Sequence, residues 1–265
     1  MELNPTYRET WLHRVNPSFK LVSFLVLFVL VLFTHNPNVL VNATVVLIVL
    51  FALGTGYPPR FLMLCALPVV LLFASSVTSM MFYGKGETTW FRWGLVHITE
   101  ESFYRGLHIG FKSVDFALMG LLFALTTRPV RLFYSLMQQC GLPAKYAYSF
   151  MAAVRLIPMM ADEFQTLRHA LTVRGVWRRK SFYGKLKACA IPLLAQSIRR
   201  AQRIAVAMEA KRFAQAGRRT YYYEIGFSRT DLVFLFGAVA LAVASYRLGT
   251  AFPYFDVTDV RYNGS

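Results

Sequence analysis

The feature that most constrains the fold is a series of apolar runs too long and too uniform for a soluble domain of this size. The runs cover Leu21 to Thr34, Val39 to Leu53, Phe61 to Tyr83, Gly106 to Thr127 and Leu232 to Tyr246. Charged residues make up only 16% of the chain, against roughly 25% in soluble domains. Polar residues at the ends extend the shorter runs toward the roughly 20 residues that a span needs. The sequence therefore predicts an all-α, polytopic membrane protein with about five transmembrane helices.

The distribution of positive charge predicts the organisation and the orientation of the chain. Segment 128–229 holds 19 of the 29 Lys and Arg residues and only four acidic residues, a net charge of +15. Basic segments beside apolar spans mark the cytoplasmic side of a membrane. We therefore predict membrane helices 1–4 in 1–127, a cytoplasmic segment in 128–229, and a fifth helix with a polar tail in 230–265. The N-terminus is then expected in the cytoplasm, and no role in nucleic-acid binding is expected.

The basic segment contains two apolar stripes at helical spacing, each followed by a small basic cluster. The first stripe comprises Phe150, Val154, Ile157, Ala161, Phe164 and Leu171, and the second comprises Leu194, Ile198, Ala201, Ala205 and Met208. The clusters are Val173-Arg174-Gly175 and Ala210-Lys211-Arg212, and Gly175 is a candidate for the residue that ends the first helix. A basic residue in a last helical turn is already favoured by the helix dipole. Two such clusters, however, indicate two matching acidic sites on a partner, and the second stripe is predicted to pack against a partner helix.

The sequence shows no motif for chemistry, so we predict no catalytic residue, no metal site and no cofactor bound by the chain. It has no GxxxxGK[ST] phosphate-binding loop, and its five histidines lack paired ligand spacing. Lys112 and Asp115, at positions i and i+3 of the fourth apolar run, form the one charged pair by spacing in that run. Charged groups at membrane depth suggest function. Mutual neutralisation of these two is nevertheless the favoured interpretation, ahead of ion or proton conduction.

Several short strings stand in one order along nearly the whole chain. The first is His13-Arg14-Val15-Asn16-Pro17-Ser18-Phe19-Lys20-Leu21. Thr126-Thr127-Arg128-Pro129, Gly141-Leu142-Pro143, Val154-Arg155-Leu156-Ile157-Pro158 and Glu163 follow. Val173-Arg174-Gly175 and Ala207-Met208-Glu209-Ala210-Lys211-Arg212-Phe213 complete the set. Together they resemble the transmembrane (T) component of energy-coupling factor transporters, whose HR-x-(D/N)-P-x-x-K-L is similar to the first string and whose AMEARGF is similar to the last. The resemblance implies the prokaryotic cytoplasmic membrane as the location.

The resemblance implies a non-enzymatic coupling subunit of an ATP-driven importer for a vitamin, a vitamin precursor or a transition-metal ion. In that family the arginines of two Ala-Arg-Gly motifs dock on two cytoplasmic ATPase subunits, which bind the ATP. The coupling helices then transmit motion to a separate substrate-binding membrane subunit. Arg174 matches the first docking arginine. At the second motif Lys211 stands in place of the arginine and Arg212 in place of the glycine, so either residue could dock.

Two other classes of function compete with the coupling subunit. A membrane-embedded enzyme, such as a lipid-headgroup transferase, needs carboxylates or histidines clustered at a membrane face, and the four acids of the basic segment do not cluster in sequence. A stand-alone secondary transporter is typically built from repeats, which five spans with one large loop do not suggest. The solute itself, whether thiamine, its pyrimidine precursor, biotin, cobalt or another, is left open by the sequence.

Overall fold

The computed structural model describes residues 8–83, 89–93, 96–175, 181–213, 220–221 and 223–255, with the backbone alone within 83–98. In chain order its elements are α1 Trp11–Arg14, α2 Pro17–Phe33, α3 Pro37–Gly54, α4 Pro59–Tyr83, β1 Thr89–Trp93, β2 Val96–Thr99, α5 Glu100–Thr126, α6 Pro129–Gln139, α7 Ala144–Val173, α8 Phe182–Ala210 and α9 Arg229–Ala251. The described chain divides into two compact units. The first, here called the membrane unit, comprises 1–128 and 226–265, and the second comprises 129–225.

Five of these helices correspond to the five apolar runs, which confirms the polytopic all-α fold. Helices α3, α4, α5 and α9 are long and apolar enough to cross a bilayer, and α2 is a slightly shorter apolar helix of 17 residues. Each helix begins before the apolar run that predicted it, and at α2 and α3 a polar residue caps the start. Asn16 and Asn36 accept hydrogen bonds from the backbone of Ser18 and Asn38, at 3.2 and 2.9 Å, and a proline follows each cap.

Helix α5 begins at Glu100, before the apolar run that starts at Gly106, and Thr99 caps it by accepting from the backbone of Ser102 at 3.2 Å. Before it, β1 and β2 form a short antiparallel hairpin with Trp93 paired to Val96. This hairpin was not predicted, because both strands lie outside the apolar runs and TWFRW does not alternate apolar with polar residues.

Hydrogen bonds align the membrane helices in alternating directions. At one end of the bundle, the backbone N–H of Asn16, at the start of α2, donates to Asp231 Oδ1 of α9 at 2.7 Å. One turn further on, Lys20 Nζ donates to Thr126 Oγ1, at the end of α5, at 2.7 Å. The starts of α2 and α9 and the end of α5 therefore share one side of the membrane unit.

The opposite end of the bundle is joined through Asn38, at the start of α3. Its Oδ1 accepts from the backbone N–H groups of Tyr254 and Phe255, which follow α9, at 2.8 Å each. Its Nδ2 donates to Phe255 O at 3.0 Å. Since Asn38 is fully buried, these three bonds fix the start of α3 against the segment that follows α9.

The core of the membrane unit lies among α2, α3, α5 and α9. Its most deeply buried side chains include Leu40, Leu118 and Leu122, with Phe24 and Phe234 in an edge-to-face contact at 5.9 Å between centroids. Helix α4 packs on α5, where Gly110 allows close approach: a Cβ there would lie 2.9 Å from the Phe73 ring. Most of α4 is otherwise exposed, as expected for a helix at the periphery of a bundle in lipid.

The second unit consists of α6, α7 and α8. Helices α7 and α8 are antiparallel, since Tyr148 meets Phe213 at a centroid distance of 5.0 Å while Glu163 pairs with Arg200. Helix α6 packs on the first part of α7 around Met137, Ala147 and Met151. This third helix was not predicted, because only two stripes were recognised in the basic segment.

Candidate partner-docking site

The first basic cluster forms the C-terminal end of α7. The backbone N–H of Arg174 donates to Ala170 O at 3.1 Å, and that of Gly175 donates to Thr172 O at 3.0 Å. Gly175 has a φ of 67°, a left-handed conformation that glycine adopts without a steric penalty. Gly175 therefore ends the helix as the sequence predicts, and Arg174 is the last residue before the chain turns away.

The second cluster ends α8 in the same geometry. The backbone N–H of Lys211 donates to Ala207 O at 3.3 Å, and that of Arg212 donates to Glu209 O at 2.8 Å. Phe213 N then donates to Met208 O at 2.9 Å, which completes a Schellman motif. Arg212 has a φ of 51°, so an arginine adopts the left-handed conformation that Gly175 adopts after α7.

The two helix ends can be superposed by their hydrogen-bond pattern. Arg174 and Lys211 occupy the C-cap, and Gly175 and Arg212 occupy the following left-handed position. Lys211 is thus the structural counterpart of Arg174. Sequence reasoning left this register open, because either Lys211 or Arg212 could replace the arginine; the backbone conformation supplies the alignment.

Both helix ends present positive charge to the surroundings. Arg174, Lys211 and Arg212 are exposed, as is Ala210, and 88% of Val173 is accessible. Within the described residues the ion pairs are Arg128–Glu9 and Arg200–Glu163, so none involves these three cations. A cation without an acidic neighbour in its own chain is free to pair with a carboxylate of another subunit.

The antiparallel packing of α7 and α8 places the two clusters at opposite ends of the helix pair. Phe213, next to Lys211, lies against Tyr148 in the first part of α7, whereas Arg174 follows the end of α7. At 1.5 Å per residue, the 26 residues from Tyr148 to Arg174 span roughly 39 Å along the helix. The clusters are therefore too far apart for one small acidic pocket, and each needs its own.

The second apolar stripe faces away from α7. Leu194 and Ile198 are 59% and 57% exposed, Ala201 and Ala205 are exposed, and Met208 is partly buried. Helix α7 contacts another face of α8, where Arg200 pairs with Glu163. In the first stripe Phe150 and Ile157 are likewise 53% and 66% exposed. The stripes therefore contribute little to the packing between α7 and α8.

The predicted neutralisation of Asp115 by Lys112 is wrong. Lys112 Nζ donates to Leu32 O at 2.8 Å, while Asp115 Oδ1 accepts from Thr44 Oγ1 at 2.6 Å. Spacing of i and i+3 brings two side chains near each other only when no better partner lies on a neighbouring helix. Here α2 offers a carbonyl to Lys112 and α3 offers a hydroxyl to Asp115.

The N-terminal motif, His13 to Leu21, stabilises the fold of the membrane unit. Lys20 is 1% exposed, and its Nζ donates to Leu12 O at 2.8 Å and to Thr126 Oγ1 at 2.7 Å. Asn16 caps α2 and is joined to Asp231 through its backbone. Sequence reasoning used these residues only as a family signature. Over the described residues, no three His, Cys, Asp or Glu side chains are grouped as a metal site would require.

Comparison with known proteins gives matches through both units. The family model of the cobalt transport protein CbiQ matches residues 8–222. The energy-coupling factor transporter transmembrane protein EcfT of Brevibacillus brevis is 28% identical over 250 residues, covering 89% of this chain and 92% of that protein. EcfT of Limosilactobacillus fermentum is 28% identical over 244 residues, covering 88% and 91%. EcfT of Listeria innocua is 27% identical over 248 residues, covering 89% and 92%.

Proposed function

The chain belongs to the CbiQ family of cobalt transport proteins, and we propose that it is the transmembrane coupling subunit of an ATP-driven importer. The observation that carries the proposal is the pair of equivalent helix ends, each with an exposed C-cap cation, at opposite ends of α7 and α8. Two separated cations of this kind fit two ATPase subunits, each with an acidic pocket. The names of the EcfT relatives refer to such a transporter.

In this proposal, Arg174 docks on one ATPase subunit and Lys211 docks on the other, with Val173, Gly175, Ala210 and Arg212 as the flanking contact residues. A rigid helix pair held by the Glu163–Arg200 ion pair and the Tyr148–Phe213 contact moves as a body when the ATPases approach or separate. ATP is bound and hydrolysed by the partners, and this chain has no catalytic role. The basic helices lie in the cytoplasm, together with the N-terminus.

The exposed stripe on α8 is the proposed contact with a separate substrate-binding membrane subunit. This stripe has two small residues between large apolar ones, which suits a helix–helix interface; its members are Leu194, Ile198, Ala201, Ala205 and Met208. Their exposure in this chain leaves the surface available. The solute is then a vitamin, a vitamin precursor or a transition-metal ion, selected by that subunit and not by this chain.

The test is retention of the ATPase subunits on affinity-tagged Arg174→Ala, compared with Arg203→Ala. Arg203 is an exposed arginine of α8 that belongs to neither cluster and lies about two helical turns before Lys211. Loss of one member of a desolvated ion pair costs roughly 2–5 kcal/mol, which is about 30-fold to several thousand-fold in affinity. Arg203→Ala is expected to change affinity by no more than about 1 kcal/mol.

Two results would count against the coupling-subunit proposal. The first is that Arg174→Ala, present in the membrane at the normal level, retains the ATPases and supports solute uptake as well as Arg203→Ala does. The second is sustained ATP hydrolysis by the purified chain without its partners. Either result would leave the helix-dipole interaction as the account of Arg174.

A further inference from the structure

A deep apolar groove runs along the membrane unit between α2, α3 and α9. Its cavity volume is about 820 Å³, within the range of roughly 300–1,000 Å³ typical of small-molecule sites. Among the described residues no charged side chain lines it, and polar lining groups are confined to Trp11, Thr34, Ser245 and Tyr246. Thr34 Oγ1 donates back to Leu30 O at 2.8 Å, so its hydroxyl already has an acceptor.

The groove lies between two close contacts of α9 with its neighbours. At one end Phe234 packs on Trp11 and Phe24, with centroid distances of 6.2 and 5.9 Å. At the other end α9 meets the start of α3 so closely that a Cβ on Gly249 would lie 2.8 Å from Val39 Cα. The 15 residues from Phe234 to Gly249 span roughly 22 Å.

Small residues of α9 leave the intervening space open. Gly237, Ala238 and Ala242 line the groove, and a Cβ built on Gly237 would meet no atom within 4 Å. An empty space of this size forfeits dispersion contacts on all its walls. Because the groove lies between membrane-spanning helices and is apolar, the molecules available to fill it are the hydrocarbon chains of the bilayer.

We propose that this groove binds an acyl chain of a membrane phospholipid as a site distinct from the surrounding lipid shell. Its length of roughly 22 Å exceeds half of a hydrocarbon core of about 30 Å, so one leaflet's chain fits along it. A transmembrane helix of a partner must cross the whole core, and the contacts at Phe234 and Gly249 close the groove at both ends to such a helix. The bound chain completes the packing of α9 against α2 and α3.

The experiment uses the complete transporter in native membranes supplied with a phosphatidylcholine that carries a mid-chain diazirine. After irradiation, cross-linked lipid is mapped to peptides by mass spectrometry. Labelling per residue at Gly237, Ala238 and Ala242 is expected to exceed that at Val239 and Leu235 severalfold; these two lie on the same helix but do not line the groove. Gly237→Phe fills the groove and is expected to reduce the groove labelling severalfold.

Gly120→Phe is the matched control. Gly120 lies on α5, is exposed, does not line the groove, and likewise has no atom within 4 Å of a built Cβ. Its replacement should leave the groove labelling unchanged. Equal labelling of the groove and of Val239, or unchanged labelling in a stably folded Gly237→Phe, would mean surrounding lipid only and would overturn the proposal. Absence of lipid labelling at Gly237, Ala238 and Ala242 in the parent protein would overturn it as well.

Discussion

The carboxylate of Asp231 joins the first and the last membrane helix through backbone hydrogen bonds. Its Oδ1 accepts from Asn16 N at 2.7 Å and its Oδ2 accepts from Ser228 N at 2.8 Å. One side chain thus satisfies a free N–H group at the start of α2 and another at the start of α9. Asp231 is 2% exposed, and its bond to Asn16 N is buried, so water does not replace that bond when it is lost.

Replacement of Asp231 by asparagine is expected to destabilise the membrane unit. The amide keeps the size of the side chain but presents one acceptor oxygen, so one of the two backbone N–H groups loses its acceptor, at a cost of roughly 1–3 kcal/mol if this is the buried N–H of Asn16. The measurement is the midpoint of thermal unfolding in detergent. Asp162→Asn, at an exposed position of α7, is the control. Equal midpoints for the two variants would contradict the role assigned to Asp231.

The second prediction concerns Lys20 of the N-terminal motif. Lys20→Met keeps the length of the side chain and removes the donor to Leu12 O, Thr126 O and Thr126 Oγ1. Thr126 Oγ1 keeps its bond to Leu122 O, whereas each buried acceptor left unpaired costs roughly 1–3 kcal/mol, and removal of the desolvated ammonium offsets part of this cost. A lower unfolding midpoint is expected than for Lys187→Met, an exposed position on α8. An unchanged midpoint would show that these bonds contribute little.

The sequence predicted the membrane helices well because an apolar run in lipid has few alternatives to a helix. The runs starting at Leu21 and Val39 predicted two helices but not where these begin. Their starts are set by the caps Asn16 and Asn36, whose role depends on local backbone geometry. The partners of Lys112 and Asp115 lie on α2 and α3, 80 and 71 residues away in sequence. No spacing rule within one helix reaches across such a distance, so that prediction was wrong.

At the candidate docking site the sequence supplied the residues but not their arrangement. The basic clusters after α7 and α8 were evident, as was Gly175 as a helix terminator. That Arg212 adopts the left-handed conformation contradicts the usual preference of side chains and could not be read from residue type. The antiparallel pairing that separates the clusters depends on Glu163 with Arg200 and on Tyr148 with Phe213, contacts between segments far apart in sequence.

The orientation of the chain gives a third prediction. In a variant with Cys65, Cys140 and Cys189 replaced, single cysteines are introduced as Arg203→Cys and Phe252→Cys, both at exposed positions. A membrane-impermeant maleimide should label Phe252→Cys in intact cells, and Arg203→Cys only after permeabilisation. The expected difference follows from the net charge of +15 in 128–229 and from the positive-inside rule. The reverse pattern, or equal labelling of both positions, would contradict a cytoplasmic basic segment.

The last prediction separates the roles of Lys211 and Arg212. Since Lys211 occupies the C-cap as Arg174 does, Lys211→Ala is expected to weaken association with one ATPase subunit by roughly 2–5 kcal/mol. Lys211→Arg restores the planar, bidentate donor found at Arg174 and should bind at least as tightly as the parent chain. Association is measured by titrating the purified ATPase subunits onto the chain, with Arg203→Ala as the control.

Arg212→Gly is expected to act mainly on stability, in the opposite direction to most substitutions. A side chain in the left-handed region costs roughly 1–2 kcal/mol, so glycine at a φ of 51° should raise the unfolding midpoint. Arg203→Gly, in the interior of α8, should lower the midpoint, because glycine there reduces the free energy of unfolding by about 1 kcal/mol. If Arg212→Gly instead loses an ATPase subunit while Lys211→Ala retains both, then Arg212 is the docking residue. Lys211 and Arg174 would in that case share a backbone position but not a role in docking.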